Sequence, residues 1–254
     1  MASSFTTNRS SSQKNDFLMT FISPNNLSKE WIVRQLAARS ADGAFQVCDL
    51  ACGSGSVWYA FLKKYPNVTY VGLDTDKKAV ATAQKKFADL PNATFRVADA
   101  QTLKGDEGRF DVVTTFSALE HVVRIDKFLD TVFALLKPQG MAYLNYDNGH
   151  FRSSNPKERV MVPVSQILAK FGFEGPYMKE VNDADVVRWI TERKGTVERI
   201  MKHNIPALKA VAKKLSSDDA LEAWLTFENR LNEVEQPDRL NAIMGSTTVV
   251  MKNV

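Results

Sequence analysis

The stretch Val47 to Val57, VCDLACGSGSV, constrains this chain more than any other part of it, because an apolar run passes through an acid into a turn with paired glycines. Val47, Cys48 and Leu50 supply a short buried strand. Asp49 lies near its carboxyl end, and Gly53 and Gly55 allow a turn whose backbone can approach a ligand. Ser56 to Lys64 then reads as a helix, with Val57, Tyr59, Ala60, Phe61 and Leu62 for packing and Lys63 and Lys64 in the last turn. Strand, turn and helix in that order are how an α/β protein opens a cofactor site.

The spacing excludes two common cofactors. A dinucleotide fingerprint needs a third glycine three residues after the second, so that helix and strand can pack closely; here that place holds Trp58, whose indole blocks the approach. No Gly-Lys-Ser/Thr follows at P-loop spacing either. What remains is a ligand with adenosine and a charged amino-acid tail but no phosphate. DLACGSGS closely resembles the first motif of the class I S-adenosylmethionine-dependent methyltransferases. Counted from Gly53 and Gly55 as the first two, the third glycine of that family's acidic-x-Gly-x-Gly-x-Gly pattern is Ser56.

Further strands follow at the expected places. Thr69 to Leu73 reads as a second strand ending in Asp74, about twenty residues past the glycines, where a carboxylate can accept both hydroxyl hydrogens of a ribose. Thr94 to Ala98 is a third strand, ending at Asp99 and Ala100. Phe110 to Phe116 is a fourth and leads into SALEHV. A helix from about Ile125 to Leu136, a stop turn at Lys137 to Gly140 and a fifth strand, Met141 to Tyr146, complete the array. The resemblance runs in order from about Trp31 to Asp147. It implies a Rossmann-like, doubly wound, mostly parallel seven-stranded sheet with an antiparallel last strand. It also implies S-adenosyl-L-methionine as cofactor and S-adenosyl-L-homocysteine as product, held by Asp49, Ala51, Gly53, Gly55, Asp74, Thr75, Asp99, Ala100 and Phe116, with Asp99 taking the adenine amine.

Ahead of this array, residues 1–25 read as a polar tail, and 26–254 as one methyltransferase domain. Asn26 to Arg39 reads as a helix with Trp31, Ile32, Leu36 and Ala37 on its apolar side, capped near Asn26 or Ser28. After the fifth strand, Val164 to Phe171 reads as a helix, Tyr177 to Val181 as a strand and Thr247 to Met251 as the final strand. Between them Asp183 to Lys194, Thr196 to Asn204, Ala207 to Leu215 and Asp218 to Val234 show helical spacing. An insert over about 183–244 is too long for a loop, and reads as a lid over the acceptor pocket or as a surface through which two copies pair in a homodimer.

A chain of 254 residues with 44% hydrophobic and 24% charged content can hold one sizeable core. No apolar run reaches membrane-spanning length, and the first residues lack the apolar centre of a signal peptide, which points to a cytoplasmic protein with reduced thiols. The net charge of +4 is spread over 33 basic and 29 acidic residues without a basic block, so nothing calls for nucleic acid or membrane as partner. Cys48 and Cys52 have no His or further Cys beside them and read as small packing residues, with no metal site.

Methyl transfer asks for alignment of an acceptor lone pair with the methyl group, and removal of a proton where the acceptor carries one. The resemblance puts the acceptor just past the fourth and fifth strands. His121 is the candidate base, since a near-neutral imidazole suits proton removal from a hydroxyl, phenol or ammonium. Trp31, Glu120, Tyr146, Asp147 and His150 are the candidate acceptor-side residues, and His203 reaches the site only if the insert folds down. The expected activity is methyl transfer to an O, N or C atom of a small molecule. Aminopropyl transfer of the polyamine-synthase kind, and cofactor binding without chemistry, are the alternatives.

Overall fold

In the computed structural model of this protein, residues 27–148, 156–172, 177–208, 214 and 218–254 are described. The tail over 1–25, the cap residue Asn26, His150 and most of the stretch Ala207 to Leu215 lie outside them.

The described residues start with helix α1 (Leu27–Ser40), which buries Leu27, Trp31, Ile32, Val33 and Leu36. Strand β1 (Phe45–Leu50) follows, then helix α2 (Tyr59–Lys64), shorter than its predicted span because residues 51–58 are spent on the turn. Strand β2 (Val68–Asp74) leads to helix α3 (Lys77–Lys86), whose first N–H groups are capped by the Asp76 carboxylate, accepting from Lys78 N at 2.8 Å and Ala79 N at 3.3 Å. Strands β3 (Ala93–Val97) and β4 (Phe110–Thr115), helix α4 (Ile125–Leu135) and strand β5 (Leu136–Asp147) come next, then helices α5 (Pro156–Ala169) and α6 (Asp183–Glu192). Strand β6 (Thr196–His203), helices α7 (Asp218–Val234) and α8 (Pro237–Leu240) and strand β7 (Ser246–Lys252) complete the chain.

The seven strands form one sheet in the order β3-β2-β1-β4-β5-β7-β6. Pairs from β3 to β5 are parallel, and β7 runs antiparallel to both β5 and β6, as the family resemblance implies. Both faces are covered. One core joins Trp31, Phe45, Trp58, Phe61, Tyr70, Phe95, Tyr143 and Met201 with Leu221 and Leu225 of α7. The other joins Leu50, Val113, Phe128, Leu129, Leu144 and Val249 with Val186 and Ile190 of α6. The chain order reverses between β1 and β4, which opens a crevice beyond the carboxyl ends of those strands.

Two predicted elements are corrected. Tyr177 to Val181 is not a strand: the Asn148 side chain occupies the peptide groups of Val181, accepting from its N–H at 3.0 Å and donating to its carbonyl at 2.8 Å. The sixth strand is instead Thr196–His203, within the stretch expected to be helical. Its register against β7 shifts between Val197 and Arg199, so Val197 and Ile200 join one core while Met201 joins the other. That bulge replaces the strand period of two with a spacing of three, which looks like a helix in the sequence. The stretch 183–244 is therefore not a helical insert throughout. It carries an edge strand, and α7 packs onto the sheet, with Leu221 and Leu225 buried and Glu222 bonded to Arg34 of α1.

Candidate active site

The glycine turn sits at the switch point of the sheet. Cys52 N donates to Leu73 O at 3.1 Å and Gly53 N to Asp74 Oδ2 at 2.7 Å, which ties the turn after β1 to the end of β2. Ala51, Gly53 and Gly55 have φ of 59°, 55° and 63°, the left-handed region that glycine occupies without cost. The alternation places the pattern at 51, 53 and 55, so the residue standing in for a glycine is Ala51 at the first position rather than Ser56 at the third. The two glycines differ in what surrounds them. A Cβ at Gly55 would meet the Phe95 ring at 2.8 Å, whereas a Cβ at Gly53 would meet nothing within 4 Å. Gly55 is thus small for packing, and Gly53 presents backbone to open space.

Asp49 is buried behind this turn. Its Oδ2 accepts from Trp58 Nε1 at 2.7 Å and Tyr70 OH at 3.1 Å, and its Oδ1 from Thr114 Oγ1 at 2.9 Å. Burial pushes the carboxyl up to about 7 against the pull of these donors and of Lys29. Trp58 is therefore a fully buried core residue whose indole N–H anchors the acid. Asp74 and Asp99 are partly exposed. Asp74 Oδ1 accepts from Asp76 N at 2.8 Å, and Asp99 Oδ1 accepts from Gln101 N at 2.8 Å. Each carboxylate keeps acceptor capacity beyond these single bonds per oxygen. Ala51 and Thr75 are exposed, and Ala100 is half-buried, along the same edge.

Across the switch point lie Phe116, Glu120 and Asp147, and the structure adds a cation that sequence reasoning missed. Lys29 of α1 holds its ammonium 6.0 Å from the Phe116 ring centroid, and it faces Asp49, Glu120 and Asp147 electrostatically. Burial pulls its ammonium down while the three acids push the other way. Glu120 is fully buried in the turn of 3₁₀ helix Leu119–His121; its Oε1 accepts from Asp147 N at 3.2 Å, and its Oε2 meets no hydrogen-bond partner among the described residues. Burial pushes this carboxyl up to about 8. No sequence signal singled out Lys29, because its role depends on where α1 crosses the sheet.

The remaining candidates separate. His121 is exposed, and its Nδ1 lies 3.1 Å from the Tyr177 carbonyl oxygen, so its ring is tied to the segment before α6 while its neighbour Glu120 turns inward. The Tyr146 hydroxyl is buried and donates to Asp183 Oδ1 at 2.6 Å. Trp31 is buried against Tyr143 and His203, with ring centroids at 6.4 and 5.6 Å. His203 lies at the end of β6 and does not depend on a folding lid to be near the sheet edge. Cys48 and Cys52 are free thiols whose ionisation burial disfavours.

Comparison with known proteins finds similarity to methyltransferases. A methyltransferase-domain family profile matches residues 47–140. Trans-aconitate 2-methyltransferase of Variovorax paradoxus is 26% identical over 57% of this chain and 51% of its own length. The ubiquinone/menaquinone biosynthesis C-methyltransferase of Desulfotalea psychrophila is 28% identical over 55% of this chain and 54% of its own. The chain spans about half the length of these curated relatives. Among solved structures, magnesium protoporphyrin IX methyltransferase from Synechocystis, with S-adenosylhomocysteine bound, superposes with a TM-score of 0.56 at 16% identity, covering 89% of this chain and 81% of that one.

Proposed function

We propose, from the premise that residues 47–140 are a methyltransferase domain of class I, that this protein transfers a methyl group from S-adenosylmethionine to a small-molecule acceptor bearing a hydroxyl or amine. One observation carries the reading: Gly53 has its N–H clasped by Asp74 while its α-carbon faces open space, beside a carboxylate with acceptor capacity left over. A nucleoside that brings a ribose diol and no phosphate suits such a site; a pyrophosphate does not, since Trp58 fills the position where close helix packing would be needed. Asp74 would take the ribose hydroxyls, Asp99 with Ala100 the adenine, and Phe116 the wall beside the transferred group. When bound, the cofactor supplies a methyl group already activated on a sulfonium.

The chain's own residues then orient the acceptor and receive its proton. Phe116, Lys29, Glu120 and Asp147 surround the acceptor side. Glu120, rather than the exposed His121, takes the role of base, because its Oε2 has no hydrogen-bond partner among the described residues and its carboxyl lies in the charge environment of Asp147 and Lys29. His121 holds the segment at Tyr177 in place. Titration calorimetry with S-adenosylhomocysteine tests the assignment. Binding in the micromolar range is expected, and Asp74→Ala should weaken it about ten- to a hundredfold, by roughly 1.5 to 3 kcal/mol, through loss of charge-assisted hydrogen bonds to the ribose. No binding at millimolar concentration would sink the reading.

A further inference from the structure

A cavity of about 480 Å³ lies between the end of α5 and the segment that precedes α6, lined by Val123, Gln166, Ala169, Lys170, Tyr177 and Lys179. Its volume is that of a small-molecule site. None of the residues placed around the cofactor or the acceptor lines it.

The walls are held from two sides. Residues 177–179 run between α5 and the 3₁₀ turn Leu119–His121, with hydrogen bonds to both. On the α5 side, Ser165 Oγ accepts from Met178 N at 3.2 Å and Gln166 Nε2 donates to Met178 O at 3.2 Å. On the other side, Lys179 N donates to Glu120 O at 2.8 Å, and His121 Nδ1 lies 3.1 Å from Tyr177 O. A wall tied to both neighbours has its shape before a ligand arrives, so little ordering opposes binding.

The lining divides by chemistry. Val123, Ala169 and the buried Tyr177 supply apolar surface, and Lys170 and Lys179 supply two ammonium groups. No acid lines the cavity, and neither ammonium has an ion-pair partner among the described residues. The Gln166 amide already donates to Met178. α5 also carries an exposed apolar stripe, Val160, Val164 and Ile167, but helical spacing sets it on the opposite side from Gln166 and Ala169.

We propose that this cavity is a second binding site, for a small molecule with an apolar or aromatic body and an anionic head. The body lies against Val123, Ala169 and Tyr177, and the head meets the ammonium groups of Lys170 and Lys179. Solvent-exposed ion pairs contribute modestly, so apolar burial carries the affinity and the lysines set the preference for an anion. A cationic ligand would meet two like charges and no acid. The site goes beyond the methyl-transfer reading and does not rest on it.

The test uses the full chain, labelled on its alanine, valine and isoleucine methyl groups, and two probes of one shape. 4-Phenylbutyrate carries the anion; 4-phenylbutan-1-ol does not. In carbon-13 methyl spectra, 4-phenylbutyrate is expected to move the Val123 and Ala169 resonances saturably, with Val164 and Ile167 left in place, and the alcohol to bind less tightly. Replacing both lysines, Lys170→Gln with Lys179→Gln, should weaken 4-phenylbutyrate about three- to tenfold and leave the alcohol unchanged. Ala169→Trp fills the cavity and should abolish the Val123 shift; the lysine variant gives an independent reading should the tryptophan variant not fold. Resonances at Val123 and Ala169 that do not move, equal affinity for the two probes, or a response confined to Val164 and Ile167 overturns the proposal.

Discussion

Glu120→Gln is expected to lower methyl-transfer turnover by about a hundredfold or more, within the range that a positioned base contributes, while S-adenosylhomocysteine affinity stays close to that of the wild type. The side chain keeps its shape and its bond from Asp147 N but loses the ability to take a proton. Because burial pushes the Glu120 carboxyl up to about 8, the base form is scarce at neutral pH. Wild-type turnover should therefore climb as pH rises through about 8 and level off above it, and this limb should be missing in Glu120→Gln. An acceptor-free check exists as well. The infrared difference between wild type and Glu120→Gln should hold a protonated-carboxyl band that disappears near pH 8, separate from the Asp49 band that both proteins share and that disappears near pH 7; a difference spectrum without that band would overturn the assignment. The same shift makes a statement about stability. A carboxyl whose folded pKa is raised binds its proton more tightly folded than unfolded, so its contribution is full below about pH 4.5 and is lost as pH rises through 8.

Asp183→Ala is expected to destabilise the fold by about 3 to 5 kcal/mol in urea unfolding, because it removes the carboxylate from a buried cation. Lys202 is 0% exposed; its ammonium bonds the Asp183 carboxylate and donates to Thr247 Oγ1 at 2.8 Å. Tyr146 OH at 2.6 Å and Asn241 Nδ2 at 2.9 Å complete the shell of Asp183. Burial pushes the Asp183 carboxyl up, but Lys202, Tyr146 and Asn241 outweigh it and hold the group below the usual range. The cost lies mainly in the buried ammonium losing its carboxylate. Lys202→Met combined with Asp183→Ala should therefore recover a large part of the loss, and a double variant as unstable as the single one would show that the ion pair is not its source.

These two predictions concern residues that the sequence displayed unequally. The turn at Gly53 and Gly55, Asp74 at the end of β2 and Asp99 after β3 were legible, since strand runs, a glycine pair and acids at strand ends are local patterns set by backbone sterics and by burial period. Glu120 was visible as part of SALEHV but not separable from His121: a single 3₁₀ turn points adjacent side chains in different directions, and only the folded structure decides which is buried. The helical reading of Thr196 to Asn204 failed for a different reason, because the bulge between Val197 and Arg199 mimics helical spacing.

The sequence by itself determined the class of fold and the placing of the glycine turn and the acids at the strand ends, because both rest on contacts within a few residues of one strand end. Only the tertiary structure decided which distant side chains gather along the rest of that edge. Lys29 comes from α1, Glu120 from the turn after β4, Asp147 from β5, and His203 with Glu228 from β6 and α7, segments up to about two hundred residues apart that meet because the sheet order places their ends along one edge. Such meetings are set by the packing of whole elements, and no local pattern of residues records them.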